Sequence, residues 1–174
     1  LFFLSAEDGG DRLFLEEVER RRTGPGDVFI PPSAATRQVS PTPPSASTRE
    51  VTSIRSRAEQ GFAIAQYNLG IMYGNGAGVP QDDAEAVRWF RLSAEQGNAY
   101  AQYNLGLAYA NGDGVPEDDV LAYMWYNLAA AQGNEIAQDN KYIIEKRMTR
   151  EQIAEAQRLS REWIEAHPPA ATSP

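Results

Sequence analysis

The side chains able to do chemistry are few and scattered. His167 is the single histidine and stands beside Pro168 and Pro169. A lone imidazole with no carboxylate near it in sequence has nothing to orient it as a general base and cannot complete a zinc site. A surface position is the better reading. With no cysteine in the chain there is no thiolate nucleophile, no thiolate metal ligand and no disulfide scaffold. Lys141 and Lys146, the two lysines, lie in no phosphate-binding loop, and neither Ser-x-x-Lys nor Gly-x-Ser-x-Gly occurs. Gly74-x-Gly76-x-Gly78 has glycines spaced as in a nucleotide loop. It follows a helical pattern, ends in Val79-Pro80 and recurs downstream, so turn geometry explains it better. Asp113, Glu117, Asp118 and Asp119 are near enough to gather around calcium, but their spacing matches no calcium loop and helix capping accounts for most of them. The sequence predicts no enzyme, no cofactor and no metal.

Other residues suit binding rather than reaction. Asn68, Asn104 and Asn140 recur every 36 residues, and a ladder of side-chain amides can donate and accept along an extended peptide backbone. Tyr67, Tyr100 and Tyr103 are flat, amphipathic anchors of the kind found in binding hot spots. A structural role stands beside each: a recurring asparagine can bond a neighbouring helix, and a tyrosine can be half-buried wall. Trp89 and Trp125 read as core packing.

The elements that position these residues are repeats. Offset by 36, residues 61–96 fall on residues 97–132 with 21 identical positions, and Gly61, Gly97 and Gly133 keep the beat. Such a period is the signature of stacked helical units. Within a unit, Ala65, Leu69, Met72 and Tyr73 share one helical face. Asn75-Gly76-Ala77-Gly78-Val79-Pro80 then interrupts the helix. A second helix starts near Asp82, a natural cap, and buries Ala86, Trp89, Phe90, Ser93 and Ala94 before stopping at Gly97. Copy two repeats the plan from Ala101 to Ala130.

The motifs Ala-x-Ala-x-Tyr-Asn-Leu-Gly-x-x-Tyr, Asn-Gly-x-Gly-Val-Pro-x-Asp and Ala-x-x-Trp with a closing Ala-x-x-Gly resemble Sel-1-like repeats, a branch of the tetratricopeptide-type helical hairpins. The resemblance is dense over residues 61–133. In the third copy Asp139, Lys141 and Glu145 replace Tyr, Leu and Tyr, and the glycine loop is missing. The resemblance implies an all-α, right-handed superhelical solenoid of stacked helix-turn-helix units. It also implies a concave groove that takes a protein or peptide partner, in bacterial signalling, envelope-associated or adaptor complexes. By analogy with tetratricopeptide repeats the groove positions are Ile64, Tyr67, Asn68, Ile71 and Asn75, then Tyr100, Tyr103, Asn104, Leu107 and Asn111. In copy three they are Ile136, Asp139, Asn140, Ile143 and Arg147. From these the expected partner-binding set is Tyr67, Asn68, Asn75, Tyr100, Tyr103, Asn104, Asn111, Asp139 and Asn140. Some cysteine-rich family members bind or hydrolyse penicillin-like compounds, and this chain lacks their cysteines. A non-enzymatic scaffold is therefore the leading expectation. A C-terminal assembly module of a longer protein and a weak hydrolase of amide or cell-wall substrates stand as alternatives.

Around the array the sequence predicts a largely disordered segment at residues 1–47, with a short helix at 11–22 and a Pro/Ser/Thr linker at 23–47. The repeat domain is expected at 48–168: a capping helix at 48–60, repeats at 61–96 and 97–132, and a variant terminal repeat at 133–168. Residues 169–174 are expected to be a loose tail. Leu1-Phe2-Phe3-Leu4-Ser5-Ala6 reads either as a truncation or as the remnant of a signal peptide, so cytoplasmic and periplasmic or secreted locations both stay open. Residues 1–57 carry 8 acidic and 8 basic side chains, whereas 58–174 carry 16 and 8. An array of that sign disfavours nucleic acid and anionic lipid, and no apolar run reaches the length of a membrane span.

Overall fold

The structure, a computed structural model, describes residues 48–168. The expectations for residues 1–47 and 169–174 lie outside the described residues. Seven helices follow in order among those described: α1 (Thr48–Glu59), α2 (Ala63–Asn75), α3 (Asp83–Glu95), α4 (Ala99–Asn111), α5 (Asp119–Ala131), α6 (Glu135–Glu145) and α7 (Arg150–Ala166). They form an all-α stack of helical repeats.

Local chemistry sets the ends of these helices. Asp82 and Asp118 each accept a hydrogen bond at 3.0 Å from the backbone three residues on, at Glu85 and Leu121. Asn98 and Asn134 do the same for α4 and α6. Such caps are worth about 1 kcal/mol each. Thr149 and Gln152 close a reciprocal capping box at the start of α7. At α2 the equivalent position is Phe62, which makes no side-chain cap. The first helices of the two full repeats end on Gly76 and Gly112, both left-handed, with φ of 67° and 75°. Each returns its N–H to the carbonyl four residues back, a closure that a side-chain-bearing residue would strain.

Packing within each repeat rests on a ring laid against a glycine. Phe90 of α3 lies on Gly70 of α2, and Tyr126 of α5 lies on Gly106 of α4. A Cβ at these glycines would stand 2.6 Å and 2.5 Å from the rings, well inside van der Waals contact. Around these contacts, Val51, Ala58, Leu69, Met72 and Trp89 form a core beneath the first repeat. A larger core, with Tyr103, Leu105, Tyr126, Leu128 and Ile144, runs through the rest.

The terminal pair departs from the hairpin plan. The close backbone contacts of α7 are with α5 and not with α6, and Trp163 meets Trp125 edge-on at 6.1 Å. The cause is the connection, since residues 146–149 replace the longer glycine loop. Within it Arg147 reaches back to Ala110 O and pairs with Glu117 and Asp119 of the preceding repeat.

Replacing Gly106 with alanine is expected to lower stability by about 1–3 kcal/mol in urea unfolding, even though alanine favours a helix interior. Adding Tyr126→Leu should recover part of that loss. A single variant at least as stable as the parent would remove the ring–glycine contact from the account.

Candidate functional site

The first helices of the units, α2, α4 and α6, carry all nine residues expected to meet a partner. The stack brings them into one row but buries four of them. Tyr67 is covered by Tyr100 of the next repeat, with ring centroids 6.0 Å apart, and packs on Phe90 from below at 6.1 Å. Tyr103 is fully buried against Tyr126, and its hydroxyl accepts from Asn140 Nδ2 at 3.5 Å. Asn104 is buried and donates to the Tyr100 carbonyl at 2.9 Å, while its Oδ1 is buried with no partner among the described residues. Asn140 is buried as well. This corrects the expectation that the asparagine ladder as a whole presents amides to a ligand. Each repeat closes over the one before it, so a residue in the middle of the stack meets a neighbouring helix where an isolated hairpin would show it to solvent.

The other five remain accessible. Tyr100 is 51 % exposed, and Asn75 and Asp139 are exposed. Asn68 is half-buried. Asn111 is half-buried too, with its amide donating to Asp113 Oδ2 at 3.2 Å. Neither α2 nor α4 contains a charged residue, so this face is apolar and amide-lined until Glu135 and Asp139 on α6.

The side chains considered for chemistry are engaged structurally. The His167 ring stacks on Trp163 at 4.3 Å and 14°, with its Nδ1 2.9 Å from the Trp163 carbonyl. Asp118 is a helix cap, Asp113 meets Asn111, and Glu117 and Asp119 pair with Arg147. Trp89 and Trp125 are buried.

Sequence reasoning missed the glutamines. Buried Gln66 donates to Ala58 O at 3.2 Å and accepts from Gln96 at 2.6 Å. One period later, buried Gln102 donates to Ala94 O at 3.3 Å and accepts from Gln132 at 2.7 Å. Each therefore ties the end of the preceding second helix to the end of its own. The signal was present, since glutamine recurs in Ala-Gln-Tyr-Asn and before Gly97 and Gly133 as regularly as asparagine does.

The two full repeats match a known family. A family model described as Sel1 repeat fits residues 63–98 and 99–134. The chain is a Sel1-repeat protein. Among solved structures it is similar to a protective antigen of uropathogenic Escherichia coli that displays an SLR fold. That pair shares 37 % identity and a TM-score of 0.67 over 69 % of this chain and 26 % of the antigen. It is also similar to a Sel1 repeat protein from Oxalobacter formigenes, at 36 % identity and a TM-score of 0.52, over 54 % of this chain and 39 % of that one. The Sel1-repeat chain thus spans well under half the length of either structure. No curated protein matches it significantly.

The buried tyrosines give the array an alkaline limit. Burial pushes the Tyr103 hydroxyl up to about 12, opposed by the Asn140 hydrogen bond, and burial holds Tyr126 well above its ordinary value. For Tyr103, a folded value above the unfolded one, near 10, means its contribution is complete below about pH 10 and is lost as pH rises through about 12. Stability measured by urea at pH 9 and pH 11.5 should fall steeply between the two, and Tyr103→Phe should shrink that fall. An unchanged difference in the variant would show that Tyr103 does not set the limit.

Proposed function

We propose that this Sel1-repeat array is a non-enzymatic scaffold that holds an extended segment of a protein partner across its first helices. The observation that carries this reading is the half-exposed ring of Tyr100, braced by the buried ring of Tyr67, on helices without a single charge. A solvated tyrosine held rigid by another aromatic loses little rotamer freedom on binding, which is what makes such residues effective anchors. Asn68 and Asn75 on the neighbouring α2 add accessible amides that can pair an extended main chain.

Contact then belongs to Asn68, Asn75, Tyr100, Asn111 and Asp139. Tyr67, Tyr103, Asn104 and Asn140 act behind that face, fixing its spacing. The exposed carboxylate of Asp139 favours a basic residue in the bound segment at the α6 end. The net charge of −8 argues against nucleic acid as the partner. Among the described residues, no helix is long and apolar enough to cross a membrane.

The test is selection from a random peptide phage library, followed by calorimetry on the selected peptides. Peptides should bind the parent protein saturably. Tyr100→Ala and Asn68→Ala should each weaken Kd by about tenfold or more with helicity unchanged, and Asn68→Ala should leave the melting temperature unchanged as well. Peptides bound equally by parent and variants would place binding elsewhere and sink the reading.

A further inference from the structure

The described array begins halfway through a repeat. α1 stands 36 residues before α3 and makes the same forward ties. Arg55 donates to Tyr73 Oη at 3.1 Å as Arg91 does to Tyr109 at 2.8 Å, and Ala58 O accepts from Gln66 as Ala94 O does from Gln102. Thus α1 is a second helix, and the register of its own first helix falls on residues 27–39, outside the described residues.

Three apolar side chains mark the side where that helix would lie. Ile54 holds the position at which Phe90 and Tyr126 are buried against a first helix, yet it is covered only in part. Ile64, in the place of Tyr100, which rests on the first helix of the repeat before it, is 71 % exposed. Phe62, in the place of the capping asparagines, is 53 % exposed. Gln60, whose counterparts Gln96 and Gln132 bond a buried glutamine, turns instead to Ser56 at 3.1 Å.

We infer that Val28-Phe29-Ile30 of the same chain closes this edge. The stretch lies within the empty register, where Ile30 replaces the glutamine that Gln60 would meet. Pro31 and Pro32 forbid a complete first helix there, so a short apolar stretch takes the place of a hairpin. Only 17 residues lie between Ile30 and Thr48, a tether that spans up to about 60 Å and holds the stretch at roughly millimolar effective concentration. Asp27 brings a carboxylate toward Arg57, whose guanidinium lies 5.6 Å above the Phe62 ring. Two copies of an acidic array repel each other, which disfavours a second molecule at this edge. The inference concerns the edge of the stack and does not depend on the groove.

Because the chain has no cysteine, Ser33→Cys gives a single attachment point for a nitroxide on the full-length protein. In isotope-labelled protein, amide peaks of residues 54–57 and 62–65 should lose at least half their height relative to the reduced label. Phe29→Ser should restore them with helicity unchanged, since both substitutions lie outside the array's own helices. Absence of broadening overturns the inference, as does broadening centred on Asn68 and Tyr100. Broadening carried between chains, seen when spin-labelled and isotope-labelled molecules are mixed, assigns the edge to a second copy and also overturns it.

Discussion

How closely two helices approach depends on what stands between them, and here it is an aromatic ring against a bare Cα. Gly70 and Gly106 let Phe90 and Tyr126 lie on the backbone of the facing helix, which fixes the separation inside each repeat. Once that separation is set, the rest follows. The two helices must be joined by a loop of fixed span, which the left-handed Gly76 and Gly112 start and the Asp82 and Asp118 caps finish. Gly114 then passes so close to the Asp83 carbonyl that a side chain there would collide with the preceding repeat. The loop is therefore a contact between repeats as well as a connection.

Joining repeats adds a polar requirement. Helix ends leave carbonyls without intrahelical partners, and stacking buries some of them. Gln66 and Gln102 add a second donor to Ala58 O and Ala94 O, which already accept from the Gly61 and Gly97 N–H groups, and their own oxygens are satisfied by Gln96 and Gln132. A buried glutamine with both ends paired is affordable, whereas one left half-paired would cost about 1–3 kcal/mol. Within the first repeat the buried Ser93 hydroxyl is satisfied by donating to Ala63 O at 2.7 Å. The third unit lacks this apparatus, and Arg147 with its ion pairs to Glu117 and Asp119 holds it to the second.

Much of the stack was legible because helix periodicity, loop glycines and caps are local signals that repeat. The period, the two full hairpins and the Asp82 cap all read directly from residue order. What was not legible depends on neighbours distant in sequence. Asn68 and Asn104 are the same residue in the same motif, yet the first is half-buried and the second buried. The glutamine ties were missed for a related reason: each spans three helices, and no pattern within one helix reveals them. The path of α7 was illegible too, because its packing on α5 follows from a shortened connection and not from its own apolar stripe.

Recurrence in such an array therefore carries a definite physical meaning. Some residues identical at each period, such as Gln66 and Gln102, meet equivalent neighbours each time and are constrained by them. A position that changes along the array has escaped that constraint. Ile64, Tyr100 and Ile136 share one register, and their exposure runs from 71 % through 51 % to 9 %. There the end of the stack, its middle and its last unit each present something different. On the proposed function, a partner would distinguish one such array from another at positions of this second kind, and for this chain that weight would fall on Tyr100 and its surroundings. Such a scaffold can keep its fold while its partner changes, since the residues that hold the helices together and those that face outward are largely separate sets.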